Sequence, residues 1–203
     1  MHNKLSNVMS EQADKTEVFC DTDETLVRAF QTGNNNAFDR LVLKHKERVF
    51  QMCYRFLSDY DEANDSAQEV FVKVYSSLKK FRGQSRFSTW LYRITVNTCK
   101  NKLTSRRYRL KSSTVSLNDV TELDTGTNSS SPIKNLETKQ KELLIQGAIN
   151  TLPVGQKIVI VLRHIEGLSY EQIAEATGFA IGTVKSKLAR ARFRLREKLE
   201  EVL

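Results

Sequence analysis

The sequence predicts an all-α fold of two small helical domains joined by a flexible linker, the second domain containing a helix-turn-helix. Apolar residues recur every three or four positions through most of the 203-residue chain, and no segment requires a strand. A stretch rich in Ser, Thr, Asn and Asp separates two groups of helices. We therefore expect a disordered leader at residues 1–22, a first domain at 23–111, the linker at 112–135 and a second domain at 136–203.

Four amphipathic helices are predicted in the first domain. A short helix over residues 23–32 ends at Gly33, and a long helix follows over residues 38–56. Ser88 is predicted to cap the fourth helix. The third helix is expected to turn these apolar positions inward: Ala67, Val70, Phe71, Val74, Tyr75 and Leu78.

Two further helices are predicted to open the second domain. The first is expected to contain the apolar residues Leu143, Leu144, Ala148 and Ile149 and to end at residues 151–153, where Pro153 stands. The second spans residues 154–165. Its expected inner face consists of Ile158, Val161, Leu162 and Ile165.

The helix-turn-helix is predicted at residues 168–196. Ser169 and Gln172 fit a capping box that starts a short helix, and Gly178 can end it in the left-handed conformation. The next helix has one apolar stripe, formed by Val184, Leu188, Ala191, Leu195, Leu199 and Val202. A basic second helix after a glycine turn is typical of a DNA-reading module, although a solvated face or a membrane-surface helix would give a similar pattern.

Positive charge is concentrated in two stretches of a chain whose formal net charge is +8. Residues 93–111 carry seven Lys or Arg and no acid, and residues 182–198 carry seven against the single acid Glu197. The rest of the chain is therefore net acidic. This distribution predicts two separate contacts with a polyanion such as nucleic acid.

The same composition argues against an enzyme. The three cysteines, Cys20, Cys53 and Cys99, form no Cys-x-x-Cys pair, which favours a reducing cytoplasm and predicts no metal site. No nucleophile-base arrangement or phosphate-binding glycine loop is indicated, so neither a cofactor nor a small-molecule substrate is expected. No apolar run approaches the length that spans a bilayer, so direct membrane insertion is not expected.

Two segments of the first domain have a functional and a structural interpretation. Residues 81–90 interleave aromatic rings with arginines, which suits unstacked bases and their phosphates, although the rings could instead close the core. The third helix begins with an acidic face. It either complements the helix dipole or forms a protein-docking surface of Asp65, Gln68 and Glu69.

Four motifs in this order resemble a known family. They are residues 65–71 (DSAQEVF), 81–83 (FRG), 89–97 (TWLYRITVN) and 167–174 with 182–186 (GLSYEQIA and GTVKS). The chain resembles bacterial sigma factors of the extracytoplasmic-function (ECF) group of the sigma-70 family, which keep only the second and fourth conserved domains. The resemblance implies a protein that binds core RNA polymerase, recognises the -10 and -35 promoter elements and promotes initiation of transcription without performing chemistry itself.

The resemblance also implies residue roles, with the acidic face now expected to dock on polymerase. Core-polymerase contacts are expected at Asp65, Gln68 and Glu69. Contacts with the -10 element, including capture of a flipped base by the loop after residue 80, are expected at Phe81, Arg82, Gln84, Ser85, Trp90, Arg93, Asn97 and Lys100. Contacts with the -35 element are expected at Lys185, Ser186, Lys187, Arg190 and Arg192.

The partners implied by the resemblance are core RNA polymerase, promoter DNA and an anti-sigma factor. The main alternative is a stand-alone helix-turn-helix transcriptional regulator whose first domain senses a signal or dimerises. An RNA-binding or membrane-surface protein is a third class. Many relatives have proline where this chain has Ala180, which predicts a less rigid entry to the recognition helix here. Some have a larger residue where it has Ala189, which leaves the -35 preference open.

Overall fold

The computed structural model describes residues 22–105 and 132–200, with side chains described from residue 140 onward in the second range. All regular elements within these ranges are helical, which confirms the predicted all-α fold of two domains. The first domain contains α1 (Asp23–Gln31), α2 (Asn36–Leu57), α3 (Tyr60–Leu78) and α4 (Phe87–Thr104). The second contains α5 (Pro132–Asn150), α6 (Val154–Ile160), a π-helical turn (Val161–Ile165), α7 (Tyr170–Thr177) and α8 (Ile181–Glu200).

Helix α2 is the centre of the first domain and packs against α1, α3 and α4. Its inner face is fully buried at Leu41, Val49, Met52 and Phe56. Tyr75 on α3, which the apolar pattern turned inward, is 49% exposed. One side of its ring still packs on the aromatic rings of α1 and α2, so the residue lies at the edge of the core.

The predicted cap of the fourth helix is wrong. Helix α4 begins at Phe87, one residue before Ser88, and its N-cap residue Arg86 makes no side-chain capping bond. Phe87 is only 2% exposed. Burial of this ring in the core fixes the start of the helix, and this outweighs the local preference for serine at the cap.

The helix-turn-helix forms as predicted. Ser169 and Gln172 make both bonds of the capping box, and Gly178 ends α7 with φ 73°. In α8 the residues Val184 and Leu188 are buried, as is Ala191. The first three positions of the predicted stripe are therefore the inner face of the helix, Leu195 and Leu199 are partly exposed, and Val202 lies outside the described residues. The basic residues lie off this stripe.

Ile165, which was predicted to be inward in the second domain, is 40% exposed. On α5 the apolar positions divide, because Ala148 and Ile149 are buried whereas Leu143 and Leu144 are 48% and 41% exposed. The π-helical turn has more residues per turn than an α-helix, so it rotates Ile165 away from the face that the 3.6-residue period predicts. On α5 the polar Gln146 is buried instead.

The two domains pack directly on each other. Helix α4 contacts α7 and α6, and α2 contacts the π-helical turn. The leader and the linker predicted at residues 112–135 lie largely outside the described residues. None of the helices in the described part of the chain is both long and apolar enough to cross a bilayer.

Candidate nucleic-acid interfaces

The acidic face of α3 lies on the surface of the first domain. Asp65, Gln68 and Glu69 are exposed, while Ser66 and Val70 on the opposite side are buried. Glu69 forms an ion pair with Lys73 at 2.6 Å, and Lys73 Nζ also donates to Thr98 Oγ1 at 3.0 Å.

Val72 adds an apolar spot to this acidic face. It is 68% exposed and follows Gln68 and Glu69 by four and three residues, which places it beside them on the helix. Val72 could not be recognised from the sequence, because a single apolar residue outside the main stripe carries no signal of its own.

The aromatic residues around residues 81–90 form one cluster. The ring of Phe81 lies 4.8 Å from the ring of Trp90 and 6.3 Å from that of Phe87. Phe87 is buried, whereas Phe81 and Trp90 are partly exposed. Phe87 therefore closes the core, as the structural interpretation predicted, whereas Phe81 and Trp90 keep partly exposed rings at the surface.

The loop after Phe81 is held by a residue fifty positions away in sequence. Gln31 at the end of α1 donates through Nε2 to the carbonyls of Leu78 and Phe81, at 3.1 and 2.7 Å. Gly83 lets the loop turn, with φ 67°. Arg82 and Gln84 are exposed beyond this anchor, and Ser85 is partly exposed.

A groove of about 800 Å³ lies between α1 and this loop. Its loop side includes Phe81, Arg82, Gln84 and Ser85, so four of the predicted -10 contacts share one cavity. Its other wall is α1, which the sequence analysis assigned no functional role. No local pattern reveals this pairing, since the two walls are joined only by the fold.

The remaining predicted -10 contacts lie along one face of α4. Trp90, Arg93, Asn97 and Lys100 are spaced by three, four and three residues, which aligns them on the helix surface. Arg93 and Asn97 are exposed, while Trp90 and Lys100 are partly buried. The rest of the first basic stretch, residues 106–111, lies outside the described residues.

The predicted -35 contacts do not all share one face of α8. Lys185, Ser186, Arg190 and Arg192 are exposed. Lys187 is partly buried, and at 100° per residue it is turned about 200° from Lys185. The same rotation separates Arg190 from Arg192, whereas Lys187 is turned only about 60° from Arg190. The five residues are therefore spread around α8, with Ser186 near Arg190 and Lys185 near Arg192.

Two of these cations contact aromatic or imidazole groups of the same domain. Lys185 Nζ lies 6.0 Å from the ring centroid of Tyr170, whose other neighbour is Arg163. Arg192 Nε donates to His164 Nε2 at 3.2 Å. Partial burial, together with the positive charges of Arg192 and Arg163, lowers the pKa of His164, so the neutral ring that accepts this bond is favoured.

Phe179, at the turn of the helix-turn-helix, joins the two predicted DNA surfaces. Lys100 of α4 lies 5.7 Å from the ring centroid, and Lys187 of α8 lies 5.1 Å from it. A predicted -10 contact and a predicted -35 contact thus converge on one ring. We call this arrangement the Phe179 junction.

Ionic contacts reinforce the packing of the domains. Arg48 on α2 binds Glu166 after the π-helical turn at 2.7 Å, and the Glu166 side chain is only 6% exposed. Burial opposes the charge of Arg48, but the bond to Glu166 outweighs it and raises the pKa of the guanidinium. Arg48 also lies over the ring of Tyr92, whose pKa burial raises to about 12.

A second polar contact covers the C-terminal end of α2. Lys157 Nζ donates to Phe56 O at 3.2 Å and to Asn150 Oδ1 at 3.0 Å. Gln146 Nε2 donates to Arg55 O at 3.1 Å, so two carbonyls of the last turn of α2 are satisfied by the second domain. Burial lowers the pKa of Lys157 to about 8.

His, Cys, Asp and Glu side chains form no group of three or more that could hold a metal ion within residues 22–105 and 132–200. The nearest cysteine pair in these ranges is Cys53 and Cys99, whose sulfur atoms lie 3.6 Å apart in the core. Hydrogen bonding to Cys53, together with burial, raises the pKa of the Cys99 thiol. This pair is part of the packing between α2 and α4.

Comparison with known proteins identifies relatives of the whole chain. The family model for Sigma-70 region 2 matches residues 41–109, and the model for Sigma-70 region 4 matches residues 142–195. The RNA polymerase sigma-H factor of Pseudomonas aeruginosa is 39% identical over 188 residues, which cover 89% of this chain and 95% of that protein. The ECF RNA polymerase sigma-E factor of Haemophilus influenzae is 38% identical over 189 residues, which cover 90% and 97%.

A solved structure shares the fold. It contains the sigma factor RpoE in complex with the anti-sigma factor NepR, from Bartonella quintana. The match has a TM-score of 0.61 and 26% sequence identity, and it covers 80% of this chain and 96% of that chain. Both domains are therefore shared with these proteins, and not the helix-turn-helix alone.

Proposed function

Because the chain belongs to the ECF group of the sigma-70 family of RNA polymerase sigma factors, we propose that three exposed surfaces divide the work of promoter recognition. The protein is a sigma factor that acts with core RNA polymerase on promoter DNA to initiate transcription. The proposal concerns which residues do what. The observation that carries it is the grouping of the motif residues into separate exposed surfaces of two domains.

The acidic face of α3 is the proposed contact with core polymerase. Asp65, Gln68 and Glu69 are exposed on a helix whose opposite side is locked into the core. Val72 gives this face an exposed apolar side chain, which would be buried away from water when polymerase binds. A charged rim around an apolar residue is the usual composition of a protein interface.

The loop at residues 81–86 and the outer face of α4 are the proposed contact with the opened -10 strand. Phe81 and Trp90 present partly exposed rings for stacking, and Arg93 with Asn97 can bind phosphates and base edges. Base capture requires a cavity next to a ring, which the groove beside Phe81 provides.

The N-terminal half of α8 is the proposed reader of the -35 duplex. Ser186 and Arg190 lie one turn apart on the exposed face, so both can enter the major groove together. Arg190 is suited to bind guanine through two hydrogen bonds, while Lys185 contributes point charge to phosphates. Lys187 acts from the side of the helix and depends on release from Phe179.

The domains must separate for both surfaces to act on one promoter. The amines of Lys100 and Lys187 both lie within 6 Å of the Phe179 centroid. The -10 and -35 elements are centred roughly 25 base pairs apart, which is about 85 Å along B-DNA at about 34 Å per ten pairs. The packed arrangement is therefore a form of the free protein, and polymerase binding opens the Phe179 junction.

We further propose that the protein performs no catalysis itself and works in the cytoplasm, where polymerase and chromosome are found. A solved relative is held by an anti-sigma factor. An anti-sigma partner for this chain would act by covering the polymerase face of α3 or by holding the domains together. The stand-alone regulator alternative is less favoured, because the relatives match over nearly their full length.

Reconstitution tests the proposal. The intact chain added to purified core polymerase should give transcription from a specific set of promoters, identified by mapping start sites. Asp65→Arg should abolish polymerase binding while leaving the fold intact, since Asp65 is exposed. Sequence-specific duplex binding by the free chain, without any effect of polymerase, would instead indicate a stand-alone regulator.

A further inference from the structure

Helix α1 contributes a carboxylate to the groove that faces the loop at residues 81–86. Glu24 lines this groove together with Arg28, and across from them lie Phe81, Arg82 and Arg86. Three arginines on the walls suit the phosphates of a nucleic-acid strand. A carboxylate in the same groove opposes phosphate binding, so its presence requires a different explanation.

The neighbouring acid provides a contrast. Asp23 is engaged by Lys44 at 2.7 Å and by His45 at 3.0 Å, and these contacts lower the pKa of Asp23 against the opposing effect of burial. The Glu24 carboxylate is exposed, and no side chain in the described ranges binds it. Arg28, one helical turn away, forms no ion pair with it.

We propose that Glu24 reads an unpaired base of the opened strand and selects for a base that carries an exocyclic amine. This inference rests on the proposed capture of the -10 strand by the loop, and it adds α1 as the wall that determines specificity. The residue lies outside all the motifs by which the family was recognised.

The selection follows from hydrogen-bond chemistry. An ionised carboxylate has only acceptors. Cytosine and adenine each present an amine donor at N4 and N6, and guanine presents one at N2, whereas thymine carries O4 and a methyl group in place of such an amine. The one donor on the pairing edge of thymine is its ring N3–H, which lies between two carbonyl oxygens that repel a carboxylate. The carboxylate therefore favours cytosine, adenine or guanine over thymine.

The stacking surface for such a base is already in place. Phe81 is held against Trp90 at 4.8 Å, and Gln31 of α1 fixes the Phe81 carbonyl at 2.7 Å. Because Gln31 and Glu24 belong to the same helix, the base-reading carboxylate and the stacking ring are held in one rigid unit. Phe81 and Glu24 line the same groove, so a base stacked on the ring lies in the cavity that the carboxylate shares.

The test uses polymerase holoenzyme reconstituted with the full chain, and promoter DNA with a preformed bubble. Each non-template base in the bubble is replaced in turn by its amine-free analogue: 2-pyrimidinone for cytosine, purine for adenine and hypoxanthine for guanine. Binding is measured by competition. At one position, removal of the amine should weaken wild-type binding by about tenfold, and by less than twofold with Glu24→Ala.

The matched control is Asp39→Ala, which removes an exposed acid from the first turn of α2. It tests the purely dipolar role that an acid has at a helix start, and it should keep the tenfold amine effect. The inference is overturned if Glu24→Ala retains the full amine effect, or if wild type shows none at any position. Failure of the wild-type holoenzyme to bind the bubble would instead overturn the proposed function.

Discussion

The two surfaces that we propose for DNA, called here the -35 surface and the -10 surface, are built in different ways. The -35 surface is the exposed side of one helix, α8, which three buried residues fix to its own domain. The -10 surface combines α1, the loop at residues 81–86 and α4, and its parts are joined by the Gln31 bonds and the Phe81 ring cluster. A rigid duplex can be read by a single helix, whereas an opened strand needs a cavity with several walls.

The two surfaces also differ in whether the residues proposed to bind DNA contribute to the stability of the fold. On α8 the basic residues lie outside the core, so a substitution there should alter binding alone. In the -10 surface Phe87 and Phe81 belong to one ring cluster, yet Phe87 is buried and Phe81 partly exposed. Substitutions of these two rings, and of residues on the two surfaces, can therefore test which side chains stabilise the fold and which bind DNA.

Phe87→Ala should produce the largest effect. Removing a ring that is 2% exposed should lower the free energy of unfolding of the first domain by about 3–5 kcal/mol, measured by urea denaturation. Phe81→Ala, the matched variant, should cost much less because its ring is partly exposed. Equal destabilisation by the two variants would show that Phe81 is a core residue.

The packing of the two domains should tighten as pH rises. Burial lowers the pKa of Lys157 from 10.5 to about 8. Below pH 8 the packed form therefore holds a buried charge, which costs free energy. As pH rises from 8 to 10.5 the buried amine is neutral and this cost is progressively lost. The gain is at most about 3 kcal/mol, at 1.36 kcal/mol per unit. Fluorescence transfer between labels on the two domains measures it.

Lys157→Met should remove this pH dependence, because methionine fills a similar space without a charge. The control is Lys141→Met, which replaces an exposed lysine on α5 and should leave the pH dependence unchanged. If both variants follow the wild-type curve, Lys157 is not the group that couples domain packing to pH.

Arg190→Ala should weaken discrimination of the -35 element by about 1–3 kcal/mol if Arg190 makes a two-bond contact with guanine. Its exposure predicts no loss of stability. Holoenzyme binding to the mapped promoter and to single-base variants measures this. Ser186→Ala offers a milder change on the same face, and a uniform loss across all sequences would assign Arg190 to phosphate contact only.

Gln31→Leu should have the smallest effect, about 1 kcal/mol, through loss of the bonds that anchor the loop. Hydrogen exchange of the loop amides should rise, and affinity for bubble DNA should fall several-fold while duplex binding is kept. Gln51→Leu is the control, since Gln51 bonds only within α2. Unchanged exchange in the Gln31 variant would mean that the ring cluster alone holds the loop.

The sequence predicted the local structure of the helix-turn-helix better than that of the loop at residues 81–86, because the determinants of the helix-turn-helix are close together in sequence. The capping box of Ser169 and Gln172, the turn at Gly178 and the stripe of α8 lie within about thirty residues and obey one helical period. Gln31 contacts carbonyls 47 and 50 residues away, and no periodic pattern encodes such a contact.

The domain contacts escaped prediction for a related reason. Hydrophobic patterns identify apolar faces, but the contact between the domains uses Arg48, Glu166, Gln146 and Lys157, which are polar. The π-helical turn added a second error, since it broke the period that placed Ile165 inside. Phe179 was a detectable signal of the contact between the domains, because it is an aromatic residue in the turn of the predicted helix-turn-helix.

One measurement tests most directly whether the two surfaces act on different forms of DNA. Transcription by holoenzyme is compared on duplex promoter and on the same promoter with a preformed bubble at the -10 element, for Phe81→Ala and Arg190→Ala. The bubble should restore most of the activity lost by Phe81→Ala and little of that lost by Arg190→Ala. Equal restoration of both variants, or of neither, would contradict the division of roles between the two surfaces.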